Sequence, residues 1–111
     1  MIDVTEEVLS DMVQAIVREV DPERIYLFGS RARGDARADS DMDLLIVESE
    51  PFSPDHSRWQ EIKRVRRALS PFRIPKDILV YTVDEVTKWQ YTVNHIIARA
   101  LCEGKLLYER G

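Results

Sequence analysis

At 111 residues the chain has the length of one domain, and 44% hydrophobic with 32% charged residues supplies one apolar core and argues against disorder. No apolar run reaches the ~18 residues of a membrane span, and the acidic start Met-Ile-Asp-Val-Thr-Glu-Glu argues against a signal peptide. A net charge of -4 excludes a general nucleic-acid binder, and the single cysteine, Cys102, excludes an internal disulfide and suits a reducing, cytoplasmic setting.

Val8, Met12, Val13, Ile16, Val17 and Val20 recur at three- and four-residue spacing and predict a helix over residues 5–20. Asp21-Pro22 ends it, since the residue before proline avoids helical angles. Ile25 to Phe28 reads as a strand stopped by Gly29. Ser30 to Met42, small and charged, reads as a turn with one helical turn and then a loop. Asp43-Leu-Leu-Ile-Val47 is a second strand, apolar on both faces as in a covered sheet. Ser53-Pro54 has the form of an N-cap followed by proline, so the next helix is expected from there to Leu69, with Trp59, Ile62, Val65 and Leu69 inward. Asp77 to Tyr81 is a third strand, and Thr82-Val-Asp-Glu85 is a capping box that opens a helix. Asn94 to Glu103 is a last helix with Gly104 at its C′ position, and Lys105 to Tyr108 a short final strand. The order α-β-β-α-β-α-α-β indicates a single α/β domain over 1-111, a small mixed sheet flanked by helices.

The segment that carries chemistry runs from Gly29 to Val47. Gly29 permits close backbone approach, and the amides of a turn opening into a helix bind anions, with Ser30 adding a hydroxyl. Asp41 and Asp43, at i and i+2 entering a strand, project from one face. Paired carboxylates repel unless a hard cation such as Mg²⁺ sits between them. Asp77 opens the next strand. On a neighbouring strand it would reach the same metal and take a proton from an attacking hydroxyl. The three carboxylates are expected to converge beside the Gly29-Ser30 turn.

The wording Gly-Ser-x-Ala-Arg-Gly, then Ser-Asp-x-Asp-Leu, with a later Asp before a strand, resembles the nucleotidyltransferase superfamily of DNA polymerase β, and within it the minimal nucleotidyltransferase (MNT) branch. The resemblance spans Ile25 to Tyr108 and is specific over Leu27 to Val47. It implies a polymerase-β-like fold in which Gly29 and Ser30 hold the β,γ-phosphates of ATP. Asp41 and Asp43 would bind two Mg²⁺ ions, and Asp77 would bind the catalytic one and serve as base. It further implies a HEPN-domain ribonuclease toxin as partner, with this chain as the antitoxin that transfers AMP from ATP to a toxin tyrosine. Two rivals stand beside that reading: an antitoxin that neutralises by contact alone, and a small-molecule nucleotidyltransferase, a class that usually carries an added helical domain.

Other residues have plainer readings to set against functional ones. Arg31 and Arg33 lie within reach of a bound phosphate, or hold the loop by pairing with a carboxylate. Ser40 orders the loop. Glu48 competes with Asp77 as a third ligand. Lys63-Arg64-Val65-Arg66-Arg67 reads as a solvated helix face, and the helix Arg58–Arg67 with Trp59 or Trp89 as a docking surface. His56 and His95 stand alone, and Cys102 reads as buried.

Overall fold

The computed structural model describes residues 4–34, 36 and 40–111. Within the turn and loop read over Ser30 to Met42, residues 35 and 37–39 lie outside the described residues. Five helices and four strands follow in the order α1 (Glu6–Val20), β1 (Arg24–Phe28), α2 (Ser30–Arg33), β2 (Met42–Glu48), α3 (Arg58–Ala68), β3 (Lys76–Thr82), α4 (Val83–Trp89), α5 (Ile96–Glu103) and β4 (Lys105–Glu109). The strands form one mixed sheet in the order β3-β2-β1-β4, with β2 and β3 parallel and the other two pairs antiparallel. Among the described residues no helix is long and apolar enough to cross a membrane.

Helices cover both faces. On one, Met12 and Ile16 of α1 and Val65 of α3 pack with Leu69 against Ile25, Leu27, Leu44, Ile46, Ile78 and Val80. On the other, Val86 of α4 and Ile97 and Ala100 of α5 pack against Phe28, Leu45 and Val47. The central strand β2 is therefore buried on both sides, which is why its sequence is an unbroken apolar run. Its alternation decides everything polar about the molecule: Asp43 shares the α4/α5 face with Leu45 and Val47, while Glu48 shares the α1/α3 face with Leu44 and Ile46. In α1, Thr5 caps the helix by accepting from the Val8 N–H at 3.2 Å. Its valines cost at most ~0.7 kcal/mol each in helix propensity. Burial of each large apolar side chain offsets this with about 1.5–3 kcal/mol.

Four expectations are corrected. Helix α3 begins at Arg58, because Ser57 and Gln60 form a reciprocal capping box, whereas Ser53 closes a tight turn by exchanging backbone hydrogen bonds with His56. Trp59 is 64% exposed rather than inward. It lies six residues from the buried Val65, about 120° round the helix. The inward position of that first turn goes to Glu61. Gly104 is in extended backbone, not left-handed. It is glycine because a Cβ would overlap the Ala100 carbonyl oxygen and crowd that of Leu27. Cys102 is exposed.

Two carboxyls are buried on the α3 side, Glu48 at the end of β2 and Glu61 on α3. Burial, and then the Glu61 carboxyl beside it, push Glu48 up to about 7 against the opposing pull of His56. For His56 burial acts downward, but the Pro51 carbonyl and the Glu61 and Glu48 carboxylates outweigh it and raise the ring. Both groups hold protons more tightly in the fold than in the unfolded chain. The contribution of Glu48 to stability is thus in place below pH 4.5, the ordinary value for glutamate, and is lost as the pH rises through about 7, while that of His56 is lost in the same direction. In EDTA, urea midpoints should fall between those two pH values, and Glu48→Gln should flatten the fall. An equal slope in the variant would remove Glu48 as its source.

Candidate functional site

The site is built where β1 ends and β2 and β3 begin. Phe28 pairs with Asp43 across the antiparallel β1–β2 ladder, which places Gly29 beside the Asp43 side chain. Gly29 has φ 74°, and a Cβ there would overlap Asp43 Oδ2. The chain thus reaches the strand end with backbone against carboxylate, an approach open only to glycine. The single-turn helix α2 follows at once. Its first internal donors, the Ala32 and Arg33 N–H groups, both reach the Gly29 carbonyl at 3.1 Å, so the N–H groups of Ser30 and Arg31 precede the helical ladder.

Asp77 is the register partner of Asp43 in the parallel β2–β3 pair. Asp41, exposed, stands two residues before Asp43. The proximity is visible in Asp43: partial burial, then the Asp77 and Asp41 charges, raise its carboxyl, with Arg33 acting in the opposite sense. A carboxylate whose proton affinity rises for these reasons is a site short of positive charge. The donors are hard carboxylate oxygens, suited to Mg²⁺. The residues present therefore fit a hard divalent ion.

A cleft of about 390 Å³ opens over Asp43 and Asp77, bounded by Gly29, Ser30, Asp43 and Asp77 on the sheet side and by Ile96, Arg99 and Glu103 of α5 on the other; Asp41 is not among the residues that line it. Arg33 lines the cleft and pairs with Glu103 at 3.1 Å. Arg31 points elsewhere: its Nε and Nη2 donate to the Ser40 carbonyl at 3.2 and 2.8 Å, fastening the loop before Asp41. Glu48 is not near the three aspartates. It sits five residues along β2 from Asp43 and on the opposite face, so it does not replace Asp77.

Sequence reasoning missed Arg99. Its signal is weak in the sequence, one base on an apolar helix. It acquires meaning only because α5 packs over the strand end that carries Asp43. His95 caps α5 by accepting from the Ile97 N–H and stacks on Trp89 at 4.6 Å, which gives both a structural task. Arg58 lies over the rings of Phe52 and Tyr81 and pairs with Glu85, so the N-terminal end of the basic helix is a packed face, while Arg66 and Arg67 are exposed.

A family model described as polymerase beta, nucleotidyltransferase, matches residues 11–111. No curated protein matches the chain in sequence. Among solved structures, a toxin–antitoxin complex with AMP-PNP superposes with a TM-score of 0.55 at 20% identity, covering 92% of this chain and 73% of that one. A Sulfolobus solfataricus protein assigned as a nucleotidyltransferase superposes with a TM-score of 0.55 at 23% identity, covering 99% and 94%. An MNT antitoxin from Shewanella oneidensis, in complex with a tri-AMPylated HEPN toxin, gives 0.52 at 17% identity, covering 96% and 74%. At these identities the likeness is one of fold.

Proposed function

The chain belongs to the polymerase beta nucleotidyltransferase family, and from that premise we propose that it transfers AMP from ATP to a tyrosine hydroxyl of a HEPN-type toxin, acting as that toxin's antitoxin. The single observation that carries the reading is the pairing of Asp43 with Asp77 beside the backbone of Gly29. The solved complexes support the choice of nucleotide and partner: one toxin–antitoxin complex with a chain of this fold is seen with AMP-PNP, and another pairs an MNT antitoxin with an AMPylated HEPN toxin. On this reading residues 1-111 act as one nucleotidyltransferase domain.

The N–H groups of Ser30 and Arg31 and the Ser30 hydroxyl receive the β,γ-phosphates at the head of α2. Arg33 and Arg99 border the cleft and offset phosphate charge. The Arg31 side chain, engaged with the Ser40 carbonyl, holds the loop before Asp41. Asp41, Asp43 and Asp77 would hold Mg²⁺, two ions by the family resemblance. Bound there, the metal supplies charge neutralisation and polarises the α-phosphate. Asp77 is exposed at the mouth of the cleft. It accepts the proton of the incoming hydroxyl as that oxygen bonds to the α-phosphorus. The bond from the α-phosphorus to its bridging oxygen breaks, and pyrophosphate leaves. Because the acceptor meets the base at an open rim, a protein partner can present its own side chain. Its docking then supplies the orientation, which is worth up to ~7–11 kcal/mol. The exposed Trp59, Lys63, Arg66 and Arg67 of α3 are the proposed docking surface.

The test is incubation with labelled ATP, Mg²⁺ and a HEPN-type toxin that binds the chain, followed by mass spectrometry. AMP on a partner tyrosine is the expected result. Toxin neutralised with no AMP attached would favour an antitoxin that works by contact. Rapid adenylylation of a small alcohol without a partner would sink the antitoxin reading and leave the transferase standing.

A further inference from the structure

At the far end of β2, on its other face, lies a polar cluster that nucleotide transfer does not use. Glu48 ends the strand, His56 ends the connection to α3, and Glu61 lies in the first turn of that helix. Glu48 and Glu61 are 4% and 3% exposed. His56 Nε2 is 3.2 Å from Glu48 Oε1 and 3.4 Å from Glu61 Oε1. One ligand-type atom from each of the three residues lies within 4.8 Å of the others.

Two further observations point to a bound cation. Glu48 Oε2 is fully buried and has no hydrogen-bond partner among the described residues. A buried carboxylate oxygen left without a partner costs more than an ordinary hydrogen bond returns. The second observation is the orientation of the imidazole. His56 Nδ1 lies 3.4 Å from the Pro51 carbonyl oxygen. With its N–H donated there, the ring presents the Nε2 lone pair to two carboxylates. A backbone carbonyl behind a histidine whose other nitrogen faces acidic oxygens is the outer-sphere arrangement of metal-binding histidines.

The two edge lengths at the imidazole are compatible with such an ion. A tetrahedral ion with bonds of ~2.0–2.1 Å holds its ligands about 3.3 Å apart. The two separations at His56 Nε2 bracket that value. Mg²⁺ prefers oxygen ligands alone and keeps several waters, whereas an imidazole with carboxylates suits zinc. We propose that Glu48, His56 and Glu61 form a zinc site, with the fourth position open to water in the adjoining cleft of about 360 Å³. Arg64 Nη1 donates to both Glu61 oxygens at 3.2 and 3.1 Å, orienting that carboxylate and offsetting the charge of the pair. The ion would tie the end of β2 to the first turn of α3 across the intervening 49–57 connection.

The test uses the metal-stripped full chain and Zn²⁺ alone. After desalting, one zinc per chain is expected by elemental analysis, with a raised unfolding temperature. Co²⁺ in its place should give the visible d–d absorption of a four-coordinate site. Asp43→Asn should keep all three signals, while His56→Gln and Glu61→Gln should lose them. Zinc that survives His56→Gln, or that is lost in Asp43→Asn, would overturn the site. A wild-type chain with Zn²⁺ present but both His56 ring nitrogens still protonated by ¹⁵N NMR would do the same, since a proton would then occupy the position assigned to the metal. That spectrum and the Co²⁺ absorption need no variant to fold.

Discussion

Asp43→Asn is expected to reduce AMP transfer by roughly 10³-fold or more, the scale seen when one preorganised electrostatic group is removed from a reacting centre. The fold should survive, because the amide fills the same space beside Gly29. Stability in EDTA should hold or rise slightly. Burial and the neighbouring Asp77 and Asp41 charges raise the Asp43 carboxyl in the native state, so its ionisation opposes folding as the pH climbs. An asparagine removes that opposition. Radiolabel transfer to the partner and urea midpoints at neutral pH measure the two effects. Undiminished transfer would remove Asp43 from the metal set, and with it the proposed chemistry.

The second large effect belongs to Gly29→Ala. Its φ of 74° alone costs a residue with a Cβ about 1–2 kcal/mol. The new methyl also meets Asp43 Oδ2 directly, so either the strand end or the carboxylate must move. A stability loss of about 1–3 kcal/mol is expected together with a fall in transfer of about 10²-fold, since small displacements of positioning groups cost that much. The two readouts separate cause: Asp43→Asn loses activity alone, whereas Gly29→Ala loses activity and stability together. A Gly29→Ala chain with the urea midpoint of the parent would mean that the turn relaxes freely and is not held by its contact with Asp43.

Much of the fold was legible because it is written locally. The heptad-like stripe of α1, the capping box at Thr82 and the apolar runs of β1 and β2 need no knowledge of neighbours. That Asp43 and Asp77 each open a strand was legible too, but their register rests on β2 and β3 being adjacent and parallel, which brings the two strand starts together. What escaped the sequence depends on tertiary context. Two serines, Ser53 and Ser57, compete to cap α3, and the reciprocal bond from Gln60 decides for the second. Gly104 looked like a helix stop but answers to the Ala100 and Leu27 carbonyls. Glu48, His56 and Glu61 are eight and five residues apart, a spacing with no periodic meaning until β2 and α3 are laid side by side. Arg99 is likewise silent until α5 lies over the strand end.

The alternation of β2 has an additional consequence for errors of assembly. Asp43 and Glu48 stand at opposite ends of the strand and on opposite faces, with an apolar side chain at every position between them. A slip of one residue against β1 would turn Asp43 toward the α1/α3 core and Glu48 toward the α4/α5 core, stranding a charge in each apolar layer at once. Either burial alone costs several kcal/mol. The strand thus carries a parity check at both ends, and a mispaired chain is penalised twice before any ligand or partner is met.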